Sequence, residues 1–325
     1  MLSYPGRRGV RIVRHGRTLS ATRAHYRVAV SGTVPQPAPA PGADLRALAE
    51  EWGLASSSAR QPAGEYLREL WSRRDFVMAM ARSKGSAQYR DTALGRVWQV
   101  LTPILNAIVY YFVFGVLLQT SKGVDNFVAF LITGVFTFTY TQRVVTGGTK
   151  AIANNRNLIR AIHFPRAVLP MAVLVQEWQQ QVVSLGILGV IVVLTGEPVT
   201  WAWLLVVPIS LLQTVFNAGL CLLVARWTAA SRDIAQLVPF VLHTWRYLSG
   251  VMFSIPVFTA DLAPWVQQAL YLNPMTAYIE LMRDALMTSY SAPSYLWWYA
   301  LGWAVVTLLV GFVVFYRAEE SYSRG

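Results

Sequence analysis

Six long apolar stretches, at roughly 99–119, 127–146, 168–195, 200–224, 234–255 and 295–316, decide what this chain can fold into. Each is near or above the ~20 residues that cross a hydrocarbon core of about 30 Å as a helix. With 54% of its residues apolar, the chain carries more of them than a soluble core of this size needs. The predicted fold class is an all-α membrane protein. It has six transmembrane helices, an N-terminal amphipathic interface helix, and outer-leaflet re-entrant half-helices between spans five and six.

The charge is arranged to match. The net charge is +12, and sixteen of the 28 Lys and Arg residues precede residue 98. Such a cluster suits nucleic acid in a soluble protein. Beside membrane spans it suits an anionic cytoplasmic leaflet instead, so membrane lipids are the expected partner and nucleic acid is not. Arg143, Lys150, Arg156, Arg160 and Arg166 follow span two, Arg226 and Arg232 follow span four, and Arg317 and Arg324 end the chain. The opposite face has only Lys122 and Arg283. This asymmetry puts both termini on the cytoplasmic side of a plasma (inner) membrane.

Residues 1–60 read as a basic, Pro-rich tail with room for a short helix, and the low-complexity Pro run predicts disorder over 1–43. The Arg-rich start lacks an apolar h-region, so it does not read as a signal peptide. Residues 61–97 read as an interface helix and connector, 98–317 as the six-span domain, and 318–325 as a cytoplasmic tail. Within 65–81, Tyr66, Leu67, Leu70, Trp71, Val77, Met78 and Ala81 recur at helical spacing, while Arg68, Glu69, Arg73, Arg74 and Asp75 fill the other face. That pattern predicts a helix lying in the membrane interface with Trp71 at headgroup depth.

Two spans carry charge. The third must begin near 166–168 to be long enough, which places Gln176, Glu177 and 179–181 within or near the bilayer. Lipid cannot satisfy such groups, so they face protein or a cavity. Glu177 is then either a packed structural residue or part of a polar conduit. Arg246 lies about twelve residues into span five, near mid-membrane at ~1.5 Å per residue. It is either a functional cation or a structural one, paired with Glu177 or capping a broken helix. Pro239 predicts a kink in the same span. Beyond it, 265–272 and 275–287 are apolar but too short to cross, and Asn273-Pro274 marks the break between them.

Catalytic signatures are missing from the sequence. There is no phosphate-cradling G-x-x-x-x-G-K-[ST], no G-x-S-x-G and no H-E-x-x-H. The four histidines are scattered, and no acidic pair suits Mg²⁺ and a nucleotide-sugar. The single cysteine, Cys221, allows neither an intramolecular disulfide nor a Cys-based zinc site. Neither a metal nor a cofactor is expected in this chain, which reads as non-enzymatic in itself.

Several short stretches then coincide in order. They are Leu70-Trp71-Ser72-Arg73-Arg74-Asp75-Phe76, Gln88-Tyr89-Arg90, Ala93-Leu94-Gly95-Arg96-Val97-Trp98 and Tyr110-Tyr111-Phe112-Val113-Phe114-Gly115. After span two come Asn154-Asn155-Arg156-Asn157-Leu158-Ile159, Phe164-Pro165-Arg166 and Leu169-Pro170. After span five come Leu272-Asn273-Pro274-Met275-Thr276 and Arg283. Over roughly 64–317 the ordered set resembles the permease subunit of ABC-2 type polysaccharide exporters, the group that exports O-antigen, teichoic acid and related lipid-linked glycans. The composition is further similar to actinobacterial members that export lipid-linked galactan.

The resemblance implies a homodimer, with two copies of a separate ATPase subunit that bind ATP and Mg. It implies an interface helix using Leu67, Leu70, Trp71, Arg73 and Arg74. It also implies a coupling helix near 147–160, with Asn154, Asn155, Arg156, Asn157, Leu158 and Ile159 seated on the ATPase. A glycan channel between the copies would be lined by Tyr110, Tyr111 and Phe114 of span one and Trp245, Arg246, Tyr247 and Phe253 of span five. Arg90 and Arg96 would receive the headgroup of a lipid-diphosphate-linked polysaccharide at the cytoplasmic mouth. Three other classes stay open at this point. They are an ABC-2 exporter of small lipids or drugs, a membrane-embedded glycosyl- or acyltransferase, and a proton-coupled carrier built on Glu177.

Overall fold

The computed structural model describes residues 62–87, 95, 97–117, 124–162 and 164–319. All of them belong to one unit, Ser56–Gly325. The expected tail over 1–60 and the last six residues lie outside the described residues.

Two helices, α1 (Ala63–Ser72) and α2 (Arg74–Ala87), occupy the stretch predicted as an interface helix. Tyr66, Val77 and Ala81 are buried against the bundle, and Leu70, Phe76 and Met80 pack beside them. Leu67 and Trp71 point away, with Trp71 70% exposed. The apolar face read from the sequence is therefore two faces. One packs on the protein, and the other is left for a surface outside it.

Next come α3 (Val97–Tyr110), which changes to π-helical winding over Tyr111–Leu117, and α4 (Phe127–Ala151). A 3-10 turn at Ala153–Asn155 leads into the short α5 (Arg156–Ala161). Helix α6 is Val168–Leu194, starting where the polar third span requires. The 3-10 turn Trp201–Leu205 runs into α7 (Val206–Ala230), followed by α8 (Asp233–Leu248). The chain ends with α9 (Ile255–Phe258), α10 (Pro264–Leu272), α11 (Pro274–Leu286) and α12 (Leu296–Arg317). Between α10 and α11 the Asn273 side chain accepts from Met275 N at 3.1 Å. Pro274 opens α11 where a missing N–H costs nothing.

Among the described residues, four helical stretches are long and apolar enough to cross a membrane: Phe127–Ala151, Val168–Leu194, Trp201–Ala230 and Leu296–Arg317. The stretches at 99–119 and 234–255 are not single long α-helices. The first changes winding at Tyr111. The second stops at Leu248, and the chain then turns through Gly250 at φ 62°, a left-handed step that glycine takes without penalty.

Helix α4 is the enclosed strut of the bundle. Within its most apolar window 78% of residues are buried, against 22% for α6 and 28% for α12. It is packed by α6, α7, α8 and α11. At its start Asn126 accepts from Ala129 N at 3.1 Å and donates to Glu197 Oε1 at 3.1 Å. Glu197 Oε2 in turn accepts from Thr288 N at 3.0 Å. One carboxylate thus clasps the start of α4, the loop after α6 and the loop after α11. Helices α7 and α12 cross through glycines: a Cβ on Gly219 would stand 2.3 Å from the Thr307 carbonyl, and one on Gly311 would stand 2.3 Å from Gly219 O. Small residues allow this backbone approach, the main attraction left between helices in lipid.

Candidate functional site

Successive residues on a helix point about 100° apart, so Gln142 and Arg143 of α4 serve different neighbours. Arg143 Nε donates to Glu177 Oε2 of α6 at 3.0 Å, and its Nη2 donates to Gln181 Oε1 at 3.3 Å. Gln142 Oε1 accepts from the Arg246 guanidinium of α8, which also donates to Tyr110 Oη of α3. The Arg246 guanidinium lies 5.3 Å from the Phe138 ring centre and 5.8 Å from that of Tyr110. A polar belt therefore joins α3, α8, α4 and α6 at one level of the bundle. It holds two guanidiniums and one carboxylate.

That belt settles which partner each charged residue has. The acid left open as a partner for Arg246 is bonded to Arg143. Arg143, read from sequence as part of a cytoplasmic loop, sits inside α4, which runs on to Ala151. Arg246 has no carboxylate partner among the described residues, and its buried Nε has no hydrogen-bond acceptor. Two other polar residues of the third span turn toward α2: Gln179 contacts Met78 Sδ at 3.4 Å, and Gln176 lies against Gly85.

The aromatic candidates divide. Tyr110 joins Arg246, whereas Tyr111 and Tyr247 are exposed at 43% and 48% beside other exposed apolar residues of α3 and α8. Trp245 instead turns inward, between Phe138 and Phe216, with its Nε1 on Asn273 Oδ1 at 2.8 Å. Phe253 packs on Phe258 with ring centres 4.6 Å apart. Phe114 lies in the π-helical segment, but its side chain is outside the described residues, as are Arg90 and Arg96.

On α1 and α2, Leu70 is partly buried on the bundle, while Leu67 and Trp71 face out. Arg73 meets Glu69 at 3.7 Å, and Arg74 sits 5.7 Å from the Trp71 ring centre. In the segment after α4, Asn154, Arg156 and Asn157 are exposed. Leu158 and Ile159 pack back on the bundle, and Asn155 ties itself to Ala151 O at 2.7 Å. The resemblance placed all six on a partner; the two apolar ones also pack against the bundle. Nearby, Tyr66 Oη accepts from Ala167 N at 3.2 Å, and Arg166 N donates to Glu319 Oε1 at 3.0 Å.

Sequence reading missed Gln142 and the pair Arg283–Glu280. Arg283 Nη1 donates to Glu280 Oε1 at 2.9 Å, and both side chains are fully buried. It also donates to Phe130 O at 3.2 Å and Val251 O at 2.9 Å, while Tyr290 Oη donates to Glu280. The three-residue spacing on a short helix was the available signal. Among the described residues no group of three His, Cys, Asp or Glu stands ready for a metal ion.

Comparison with known proteins agrees with this architecture. A sequence model described as ABC-2 type transporter matches residues 76–287. The chain is similar to the O-antigen export system permease protein RfbA of Myxococcus xanthus, 29% identical over 229 residues that cover 70% of this chain and 84% of that one. It is 23% identical over 254 residues to an O-antigen export system permease protein RfbA of Klebsiella pneumoniae, covering 76% and 94%. It is also 25% identical over 232 residues to the polysialic acid transport protein KpsM of Escherichia coli, covering 70% and 87%.

Proposed function

This chain belongs to the ABC-2 type transporter family, and we propose that it is the permease of an exporter for lipid-linked polysaccharide, either cell-wall galactan or an O-antigen-like glycan. In this reading two copies pair in the plasma membrane with both termini cytoplasmic. A separate ATPase subunit, binding ATP and Mg, docks beneath each copy. Each chain crosses six times, with α3 plus its π segment and α8 as the two extra crossings, and α10 and α11 dip into the outer leaflet.

The single observation that carries the proposal is Arg246. It is a guanidinium without a carboxylate partner among the described residues, held between Tyr110 and Gln142 where α3 and α8 leave broad exposed faces. A diphosphate can take a forked pair of charge-assisted bonds from such a group. Sugar rings can slide over exposed aromatics such as Tyr111 and Tyr247. Arg90 and Arg96 would meet the headgroup first, with Phe114 and Phe253 further along the passage and Trp245 setting the position of Arg246.

In cells depleted of the protein, long lipid-linked polysaccharide is expected to accumulate on the cytoplasmic side. An unchanged glycan pool would sink the proposal. Arg246→Ala should cut export about tenfold or more, since a hydrogen bond to a charged group is worth about 1.5–3 kcal/mol. Arg246→Lys should fall between, lacking the planar fork. Normal export by an assembled Arg246→Ala complex removes the role given to this residue.

The exposed polar edge of the 153–161 segment is the proposed seat for the ATPase, with rigid-body motion passing into α4. Replacing Asn154, Arg156 and Asn157 together by Ala should leave the fold intact and uncouple ATP hydrolysis from export. Unchanged coupling removes that assignment.

A further inference from the structure

A second polar feature lies wholly inside one chain. Thr133, Thr137 and Thr141 recur every four residues on α4, and Ser210, Gln213 and Asn217 line the facing side of α7; all are buried. Gln213 Nε2 donates to Thr137 O at 2.8 Å and to Thr141 Oγ1 at 3.0 Å. Thr141 Oγ1 donates to Asn217 Oδ1 at 2.8 Å, and Tyr140 Oη pairs with Thr214 Oγ1 at 3.0 Å. Tyr140 lies within electrostatic reach of both Arg143 and Glu177, and Arg143 bonds Glu177 and Gln181 of α6. From Thr133 to Arg143 it runs ten residues of helix, about 15 Å.

Five polar atoms along this seam have no partner among the described residues: Gln213 Oε1, Asn217 Nδ2, Ser210 Oγ, Thr133 Oγ1 and Gln181 Nε2. Their residues are at most 1% exposed. Turning the Gln213 amide over does not help, because its oxygen would then face the Thr137 carbonyl. Hydrocarbon offers these groups nothing. Buried water typically needs roughly two to four polar partners, and this seam supplies them on both sides.

We infer that α4, α6 and α7 enclose a file of bound water running from the Arg143–Glu177 pair toward Thr133 and Ser210. The file hydrates the ion pair from within the protomer and gives α4 partners that exchange. It is independent of any passage between copies, and of what that passage carries.

The test is hydroxyl-radical labelling by brief X-ray irradiation of the intact protein in lipid nanodiscs, read by mass spectrometry. Radicals form where water is held beside a side chain. Tyr140 and Tyr278 are both fully buried, but Tyr278 donates to Ala300 O in an apolar cluster. Tyr140 should be oxidised several-fold faster than Tyr278. Equal rates would overturn the inference without recourse to any variant. In Gln213→Leu with Ser210→Ala, the Tyr140 rate should drop to that of Tyr278. A fast rate unchanged in this variant would mean that water reaches Tyr140 by another route, and the file does not exist.

Discussion

Arg283→Ala is expected to prevent accumulation of folded protein at ordinary growth temperature. The guanidinium joins α11 to the Phe130 carbonyl of α4 and to the Val251 carbonyl beyond α8, and it neutralises a Glu280 that no solvent reaches. Removing one member of such a pair leaves a bare buried charge and costs about 3–5 kcal/mol, a large share of the total for most domains. The loss should be read as the thermal midpoint of detergent-solubilised protein by fluorescence-detected gel filtration. Arg283→Met combined with Glu280→Gln should recover much of it, because no lone charge then remains. If Arg283→Ala kept the parent midpoint, the pair would not be what holds α11 in place.

The second large effect is expected at the α7–α12 crossing. Gly219→Leu or Gly311→Leu brings side-chain carbon against main chain that stands 2.3 Å from the first added atom. Main chain cannot swing aside as a side chain can. Overpacking a core typically costs about 1–3 kcal/mol, and here the two helices must part along their length. Aggregation, or loss of the monodisperse peak, is expected for both variants, with Gly311→Ala already measurably weaker. Gly302, which has open space around it, is the control: Gly302→Ala should behave as the parent. Full stability of Gly219→Leu would show that the close crossing is not required.

How much of this was legible beforehand depended on whether the signal was local. Helix α6 begins at Val168 because a shorter apolar run cannot reach across, and that constraint lies in the sequence itself. The break at Asn273-Pro274 was legible for the same reason, since cap and proline are neighbours. Arg143 was misread because hydropathy falls near the end of span two, yet α4 continues for eight residues beyond it. Its partner, Glu177, lies 34 residues away. Trp245 and Tyr247 looked alike as aromatics of one span. Only packing separates the one between Phe138 and Phe216 from the one that faces outward. The seam on α4 and α7 had a visible signal in threonines spaced by four, but its meaning required the facing Gln213.

The enclosure of α4 bears on how the chain is made. It carries Thr137, Thr141, Gln142 and Arg143, and leaves the ribosome before α6, α7, α8 and α11 exist to receive them. Newly inserted among lipids, it would present these groups to hydrocarbon. Until the later segments arrive, the second apolar segment lacks the partners that its polar groups have in the finished bundle. The order of synthesis thus sets the order of assembly: the helix that ends up innermost is the one that has to wait.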